Sequence, residues 1–202
     1  RSIPGPETEE LSKAAKEFNT YIAAELYLVA DEDFPDRYFN VAFMINPKGE
    51  IIYRRYKATS DGYEGGTLGT TNPHDLWDEW IQKKGNGNIM DAIYPVAKTP
   101  DIGNIGYVIC HEGAYPEIAR GLAMNGAEVI IRATLIEPQV MNGMWEVQNR
   151  AHALFNNAIV VVDKPVTKEE MNRLAKVFKR DKIEVKSEGY LNNLELRFPN
   201  EP

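Results

Sequence analysis

The stretch that decides the fold is Asp101–Thr134, DIGNIGYVICHEGAYPEIARGLAMNGAEVIIRAT. It contains a short apolar strand over Ile105–Ile109 and ends with a second strand over Glu128–Ala133. Between them, Pro116–Asn125 has the pattern of a helix, and Gly126 ends that helix. A strand, a helix and a strand joined by short connections predict one unit of a parallel α/β sheet.

The alternation continues toward the C-terminus. Gly143–Phe155 has a helical pattern, and Ala158–Val162 is a third apolar strand. Residues 163–202 differ in character, because a capping-box pair of Thr167 and Glu170 predicts a helix to about Lys179 that is followed by a charged, weakly patterned stretch. We therefore expect the parallel layer to extend to residue 162, and the sequence pattern does not decide whether the tail joins the same sheet.

The N-terminal side has a different pattern, in which two strands flank a tight turn. Tyr38–Ile45 and Glu50–Tyr56 surround Asn46-Pro47-Lys48-Gly49, which is typical of a hairpin. The other predicted elements are a helix over Glu7–Phe18, a strand over Tyr21–Ala30, a Gly/Thr-rich loop over Ser60–Thr71 and a helix over His74–Gln82 that Asn72 and Pro73 introduce. This region therefore predicts a β-hairpin accompanied by a further strand and two helices.

Composition limits the kinds of partner that the chain can have. The 202 residues suffice for one substantial domain with its own core. A net charge of −7 without a basic cluster argues against nucleic acids and anionic membranes as main partners. No apolar run approaches the roughly 18 residues of a membrane span. The single cysteine excludes an intrachain disulfide and fits a reducing cytoplasm.

That cysteine, Cys110, is the candidate nucleophile. It ends an apolar strand and faces a helix that begins at Pro116, where the helix dipole and free N–H groups favour a thiolate and can stabilise an oxyanion. The arrangement follows the logic of a nucleophile elbow with cysteine in place of serine. The alternative is a buried structural cysteine that behaves as a small hydrophobic residue.

Lys57 and Glu64 are the polar residues that could complete a site. Lys57 closes the hairpin strand and could direct its ammonium at an anionic intermediate, although the run YRRYK is also typical of an exposed edge strand. Glu64 lies in the glycine-rich loop and either pairs with Lys57, orients a substrate nitrogen or is simply solvated. The three histidines are poorly placed for a Cys–His dyad, which disfavours a papain-like protease. Potential metal ligands do not cluster along the sequence.

The segment around Cys110 resembles the nucleophile segment of the nitrilase superfamily of carbon–nitrogen hydrolases. The pattern G-x-x-I-C-x-(D/E)-x-x-x-P-E is matched by Gly106, Ile109, Cys110, Glu112, Pro116 and Glu117. The helix entry at Ser2–Pro6, the hairpin that leads to Lys57, and the helix and strand up to Val162 are also similar to that superfamily. Since His111 stands where true nitrilases usually have tryptophan, the segment is most similar to the aliphatic amidase and formamidase branch.

The resemblance implies an α/β fold of the nitrilase type, an αββα sandwich, with residues 1–162 forming part of the hydrolase domain and residues 163–202 a tail. By matching position, Cys110 is the nucleophile, Lys57 and the backbone N–H of His111 stabilise the oxyanion, and Glu64 positions the substrate. The candidates for lining the substrate pocket are Glu112, Tyr115 and Thr134. No cofactor is implied, and a small amide or nitrile substrate and a homo-oligomer are expected.

Two features depart from the superfamily pattern. The general-base glutamate precedes the segment that Ser2–Pro6 matches, so no residue of this sequence takes that role. After Val162 the sequence passes to a charged helix instead of further strands. We therefore expect either a sequence that lacks an N-terminal portion and an internal piece or a degenerate homologue. The functional alternatives are a nitrile or N-carbamoyl hydrolase and an inactive relative that serves as a binding or assembly module.

Overall fold

The computed structural model describes residues 2–29, 31–58, 70–134 and 143–162, together with two short strands at 185–186 and 195–196. The helices within these residues are α1 (Pro6–Glu17), α2 (Trp77–Gly85), α3 (Ile89–Ile93), α4 (Pro116–Met124) and α5 (Met144–Asn156). The strands are β1 (Ile22–Val29), β2 (Tyr38–Ile45), β3 (Ile51–Tyr56), β4 (Ala97–Lys98), β5 (Asn104–Ile109), β6 (Val129–Ala133), β7 (Ile159–Val162), β8 (Val185–Lys186) and β9 (Glu195–Leu196).

The N-terminal layer is a three-stranded antiparallel sheet in the order β1-β2-β3. The turn between β2 and β3 is closed by the Gly49 N–H, which donates to the Asn46 carbonyl at 2.8 Å. Gly49 adopts a left-handed φ of +77°, which glycine reaches without steric cost. The predicted hairpin and its turn are confirmed.

The second layer is a mixed sheet in the order β4-β5-β6-β7. Strands β5, β6 and β7 are parallel, and β4 pairs with β5 in the antiparallel direction at one edge. Helix α4 connects β5 to β6, and α5 precedes β7. The parallel α/β unit predicted from Asp101–Thr134 is therefore confirmed.

The two sheets pack face to face, with helices on their outer faces. Between the sheets lie Ala42, Met44 and Tyr53 from the first sheet and Ile105, Tyr107 and Ile109 from the second. The opposite face of β2 carries Phe39, Val41, Phe43 and Ile45 in a core that includes Ala15 of α1 and Trp80 of α2. Because strand side chains alternate between faces, the strands β2, β3, β5 and β6 each supply both cores. The architecture agrees with the expected αββα sandwich.

Some elements differ from the sequence-based expectations. Helix α3 and strand β4 were not predicted, and Pro73–Leu76 forms a 3-10 turn before α2. The predicted helix from Thr167 to about Lys179 lies outside the described residues. Within the described part of the chain, no helix combines the length and the apolar character needed to cross a membrane.

Candidate active site

Cys110 lies at a sharp turn between strand β5 and helix α4. The strand ends at Ile109, a 3-10 turn covers Cys110–Ala114, and α4 begins at Pro116. The backbone of Cys110 is left-handed with φ +52°, a conformation that costs roughly 1–2 kcal/mol for a residue with a Cβ. The side chain is partly exposed. Such a strained strand-to-helix turn presents a nucleophile at the end of a sheet.

Strand β6 and Thr134, the residue that follows it, contact Cys110 at two points. The Thr134 hydroxyl oxygen lies 3.0 Å from the Cys110 sulfur. The Arg132 Nε–H donates to the Cys110 carbonyl oxygen at 3.2 Å. The left-handed turn is therefore supported through both the side chain and the backbone of Cys110.

Glu112 forms a buried ion pair with Arg55 of β3. The two Arg55 nitrogens donate to the two Glu112 oxygens at 2.5 and 3.0 Å, and both side chains are completely buried. The backbone N–H groups of Ala58 and Ile109 also donate to this carboxylate, at 2.6 and 2.9 Å. The carboxylate thus joins the end of β3 to the turn that carries Cys110. Its predicted contact with substrate is untested and stays a prediction.

The Arg55 guanidinium remains charged despite its burial. Burial alone would lower the pKa of Arg55, but the charge and hydrogen bonds of Glu112 outweigh it and raise that pKa above its ordinary value. A buried charge is tolerated when it is paired and hydrogen-bonded in this way. The pair is therefore a fixed electrostatic link between the two sheets.

Lys57 immediately precedes Ala58, whose N–H is bound by Glu112. Its backbone N–H donates to the Asn40 carbonyl at 2.9 Å, and the residue is only 3 % exposed. The lysine predicted to bind the oxyanion is thus fixed at the end of β3 by the same carboxylate that braces the nucleophile turn. Glu64, the predicted substrate-positioning residue, lies outside the described residues.

His111 and Tyr115 lie on the turn itself. Their rings contact edge to face with centroids 5.8 Å apart. The Tyr115 N–H donates to the Glu112 carbonyl at 3.0 Å, directly before α4 begins. The structure brings these predicted residues close to Cys110 in the fold. The role of the His111 N–H as an oxyanion donor and that of Tyr115 as a pocket residue are untested and stay predictions.

Helix α5 contacts the turn through Arg132 of β6. The Arg132 guanidinium carbon lies 3.9 Å from the centre of the Trp145 ring. One guanidinium nitrogen of Arg132 donates to Gln148 at 3.0 Å and to Asn149 at 3.2 Å. Sequence reasoning missed Arg132, although an arginine inside the apolar run EVIIRA is a signal that the strand carries a paired charge.

His152 of α5 binds the same turn. Its Nε2–H donates to the Gly113 carbonyl at 2.8 Å, and the residue is 6 % exposed. Burial lowers the pKa of His152, and the nearby Arg132 charge lowers it further. The hydrogen bond to Gly113 raises this pKa, but the net result is a pKa below the ordinary value. Folding therefore favours the neutral form of the His152 imidazole.

We expect the stability that His152 contributes to be lost in acid. The unfolded state takes up a proton at a pKa of about 6.5, whereas the folded state resists it, so stability falls as the pH drops below about 6.5 toward the folded pKa. The difference in urea midpoint between the wild type and His152→Gln should be larger at pH 8 than at pH 5. An equal difference at both pH values would contradict the lowered pKa.

The sequence of this chain matches a known family of hydrolases. Residues 2–173 match the family described as carbon–nitrogen hydrolase, and the chain belongs to that family. The resemblance to the nitrilase superfamily is thereby confirmed.

Individual relatives agree with this assignment. The chain is 32 % identical over 157 residues to a protein named formamidase from Bacillus cereus (strain Q1), a match that covers 77 % of this chain and 40 % of that protein. The fold is similar to that of Saccharomyces cerevisiae Nit3, described as a member of branch 10 of the nitrilase superfamily, with a TM-score of 0.61, 19 % identity and coverage of 80 % and 52 %. It is also similar to a mutant of the amidase from Nesterenkonia sp. AN1 in complex with butyramide, with a TM-score of 0.56, 14 % identity and coverage of 78 % and 52 %. The chain thus spans about two fifths of the formamidase and about half of the solved structures.

Proposed function

We propose that the chain carries the nucleophile and the oxyanion-binding lysine of a thiol-dependent hydrolase that converts a small non-peptide amide to a carboxylic acid and ammonia. The observation that carries this proposal is the strained, partly exposed Cys110 at the end of a strand, with Lys57 fixed at the end of β3 through the shared Glu112 link. A nucleophile and an oxyanion donor held by rigid elements are what acyl transfer requires.

The proposed reaction divides amide hydrolysis into two steps. The Cys110 thiolate attacks the amide carbonyl carbon, and the oxyanion of the tetrahedral intermediate accepts hydrogen bonds from the Lys57 ammonium and the His111 N–H. Collapse of this intermediate breaks the carbon–nitrogen bond, the nitrogen leaves as ammonia with the proton that the thiol supplied, and a thioester remains. Water then cleaves the thioester to the carboxylic acid and restores the thiol.

Short amides are the proposed substrate class. The relative that is 32 % identical is named formamidase, and a neighbour of similar fold holds butyramide. Two further expectations, a homo-oligomer and a reducing cytoplasmic location, remain predictions; light scattering coupled to size-exclusion chromatography would measure the first and cell fractionation the second.

The test is a substrate panel read by ammonia release. Formamide, acetamide and butyramide are compared with propionitrile and an N-carbamoyl amino acid, since nitrile and carbamoyl hydrolysis are the close alternatives. We expect release from one or more of the short amides, with an acyl adduct on Cys110 in the intact mass after rapid acid quenching. The matched control is Cys110→Ser, which keeps the size of the side chain and should give neither ammonia nor adduct.

Two results would count against the proposal. Ammonia release by Cys110→Ser at the wild-type rate would remove the thiol from the mechanism. A wild-type protein that binds amides without releasing ammonia or forming an adduct would indicate a binding module instead.

A further inference from the structure

The contact between Thr134 and Cys110 follows from the pairing of two parallel strands. Ile109 of β5 lies opposite Ala133 of β6, so the next residue of each strand leaves the sheet at the same edge. These residues are Cys110 and Thr134, whose sulfur and hydroxyl oxygen are 3.0 Å apart. Thr134 is only 7 % exposed, so few water molecules compete for its hydroxyl.

We propose that the Thr134 hydroxyl donates a hydrogen bond to the Cys110 sulfur and that Thr134 is a positioning residue for the attacking thiolate. This inference rests on the proposed function for its catalytic meaning, but the bond itself is a property of the folded chain. It assigns Thr134 a defined task beyond lining the substrate pocket.

The chemistry of the pair fixes the direction of the bond. A hydroxyl has one O–H donor and two acceptor lone pairs, whereas a thiolate can only accept. Either atom can donate while Cys110 is a thiol, but the Thr134 O–H must donate once the proton has left. The bond therefore favours the thiolate over the thiol, and it restricts the sulfur to the rotamer that faces Thr134.

Threonine suits this task because its side chain is stiff. Two heavy atoms on Cβ restrict χ1, so the hydroxyl loses little rotational freedom when it binds the sulfur. Valine has the same branched shape without the hydroxyl, and serine has the hydroxyl without the methyl group. The three side chains at position 134 thus separate hydrogen bonding from packing.

Other charged and titratable groups lie on the elements around Cys110. The turn itself carries His111 and Glu112, and Glu112 pairs with Arg55 of β3. The elements packed against the turn carry Glu117 and Arg120 on α4, Arg132 on β6, and Glu146, Arg150 and His152 on α5. None of these changes in a variant at position 134. A difference in titration between such variants therefore reports the hydroxyl.

The experiment is the pH profile of Cys110 alkylation by iodoacetamide in the full chain. Cys110 is the only cysteine, so a single adduct in the intact mass reports this one thiol. A hydrogen bond to a charged group is worth enough to shift the midpoint of the profile upward by about one pH unit in Thr134→Val. Because a more basic thiolate is also more nucleophilic, the rate should fall about threefold below the midpoint and rise about threefold on the alkaline plateau.

Three control variants accompany Thr134→Val. Thr134→Ser keeps the hydroxyl and should keep the wild-type midpoint. Thr134→Ala should shift the midpoint as Thr134→Val does, and it replaces the valine variant if that variant does not fold. Thr20→Val changes an exposed threonine whose hydroxyl donates to its neighbour's carbonyl, and it should leave the profile unchanged.

The proposal is overturned if the valine and alanine variants keep the wild-type midpoint, or if serine shifts it as far as valine does. Faster alkylation at every pH without a shifted midpoint would also overturn it, since that result indicates a merely loosened turn. Alkylation needs no amide turnover, so the readout is independent of the hydrolase proposal. A shifted midpoint in a protein that hydrolyses no amide would support the bond and contradict the proposed function.

Discussion

Breaking the buried ion pair between Arg55 and Glu112 from one side should lower the free energy of unfolding by about 3–5 kcal/mol. Glu112→Gln leaves the Arg55 guanidinium buried without a counter-charge. Arg55→Met leaves the Glu112 carboxylate buried with the backbone donors of Ala58 and Ile109 but without its arginine partner. In both variants the remaining charge has lost most of the attraction that compensated its removal from water.

Removing both charges together should lower the free energy of unfolding by less than the sum of the losses in the two single variants. The Arg55→Met, Glu112→Leu double variant places no unpaired charge in the interior, and replacing a buried pair by apolar side chains of similar volume is often nearly neutral. The backbone N–H groups of Ala58 and Ile109 still lose their acceptor, so some loss should remain. The loss of unfolding free energy that remains in the double variant measures what the carboxylate contributes by accepting the two backbone hydrogen bonds. The rest of the loss in the single variants measures what it contributes as the counter-charge of Arg55.

Urea unfolding followed by circular dichroism measures these effects. The matched control is Glu146→Gln, which removes an exposed ion pair with Arg150 on helix α5 and should leave the urea midpoint unchanged. Equal midpoints for Glu112→Gln and the wild type would mean that the pair does not hold the two sheets together.

The fold was predictable where elements are long and strongly patterned. The strands over Tyr38–Ile45 and Ile105–Ile109 and the helix over Pro116–Asn125 appear within about one residue of the predicted bounds. Helix α3 and strand β4 are too short to establish a periodicity of their own. Strand β4 is defined by its antiparallel pairing with β5, which its own two residues do not predict.

The site was predictable only where one residue type carries the chemistry. Cys110 was identified because a lone thiol at the end of a strand is chemically distinctive. Arg55 lay in a run of cations that is typical of an exposed edge strand, and yet it is completely buried. Its partner Glu112 lies 57 residues further along the chain, and no local pattern links the two. Tertiary pairing, which the sequence pattern does not contain, decides which of several arginines enters the interior.

The second large effect is expected at Gly113, where a methyl group has no room. A Cβ on this residue would lie 2.0 Å from the Arg132 guanidinium carbon. That group is completely buried and held by Trp145, Gln148 and Asn149, so it cannot simply swing away. Gly113→Ala should therefore lower the free energy of unfolding by about 3 kcal/mol, the upper end of the usual cost of overpacking.

The cause of that loss can be assigned with a second change. If the clash is with Arg132, the loss in Gly113→Ala, Arg132→Met should be smaller than the sum of the two single losses. Gly126→Ala is the matched control, because its Cβ would meet no atom within 4 Å and only its left-handed backbone opposes the change. If the loss in the double variant equals the sum of the two single losses, the strain in Gly113→Ala does not come from the contact with Arg132. Since Arg132 also donates to the Cys110 carbonyl, its displacement in Gly113→Ala should loosen the turn and speed the alkylation of Cys110, whereas Gly126→Ala should leave the rate unchanged.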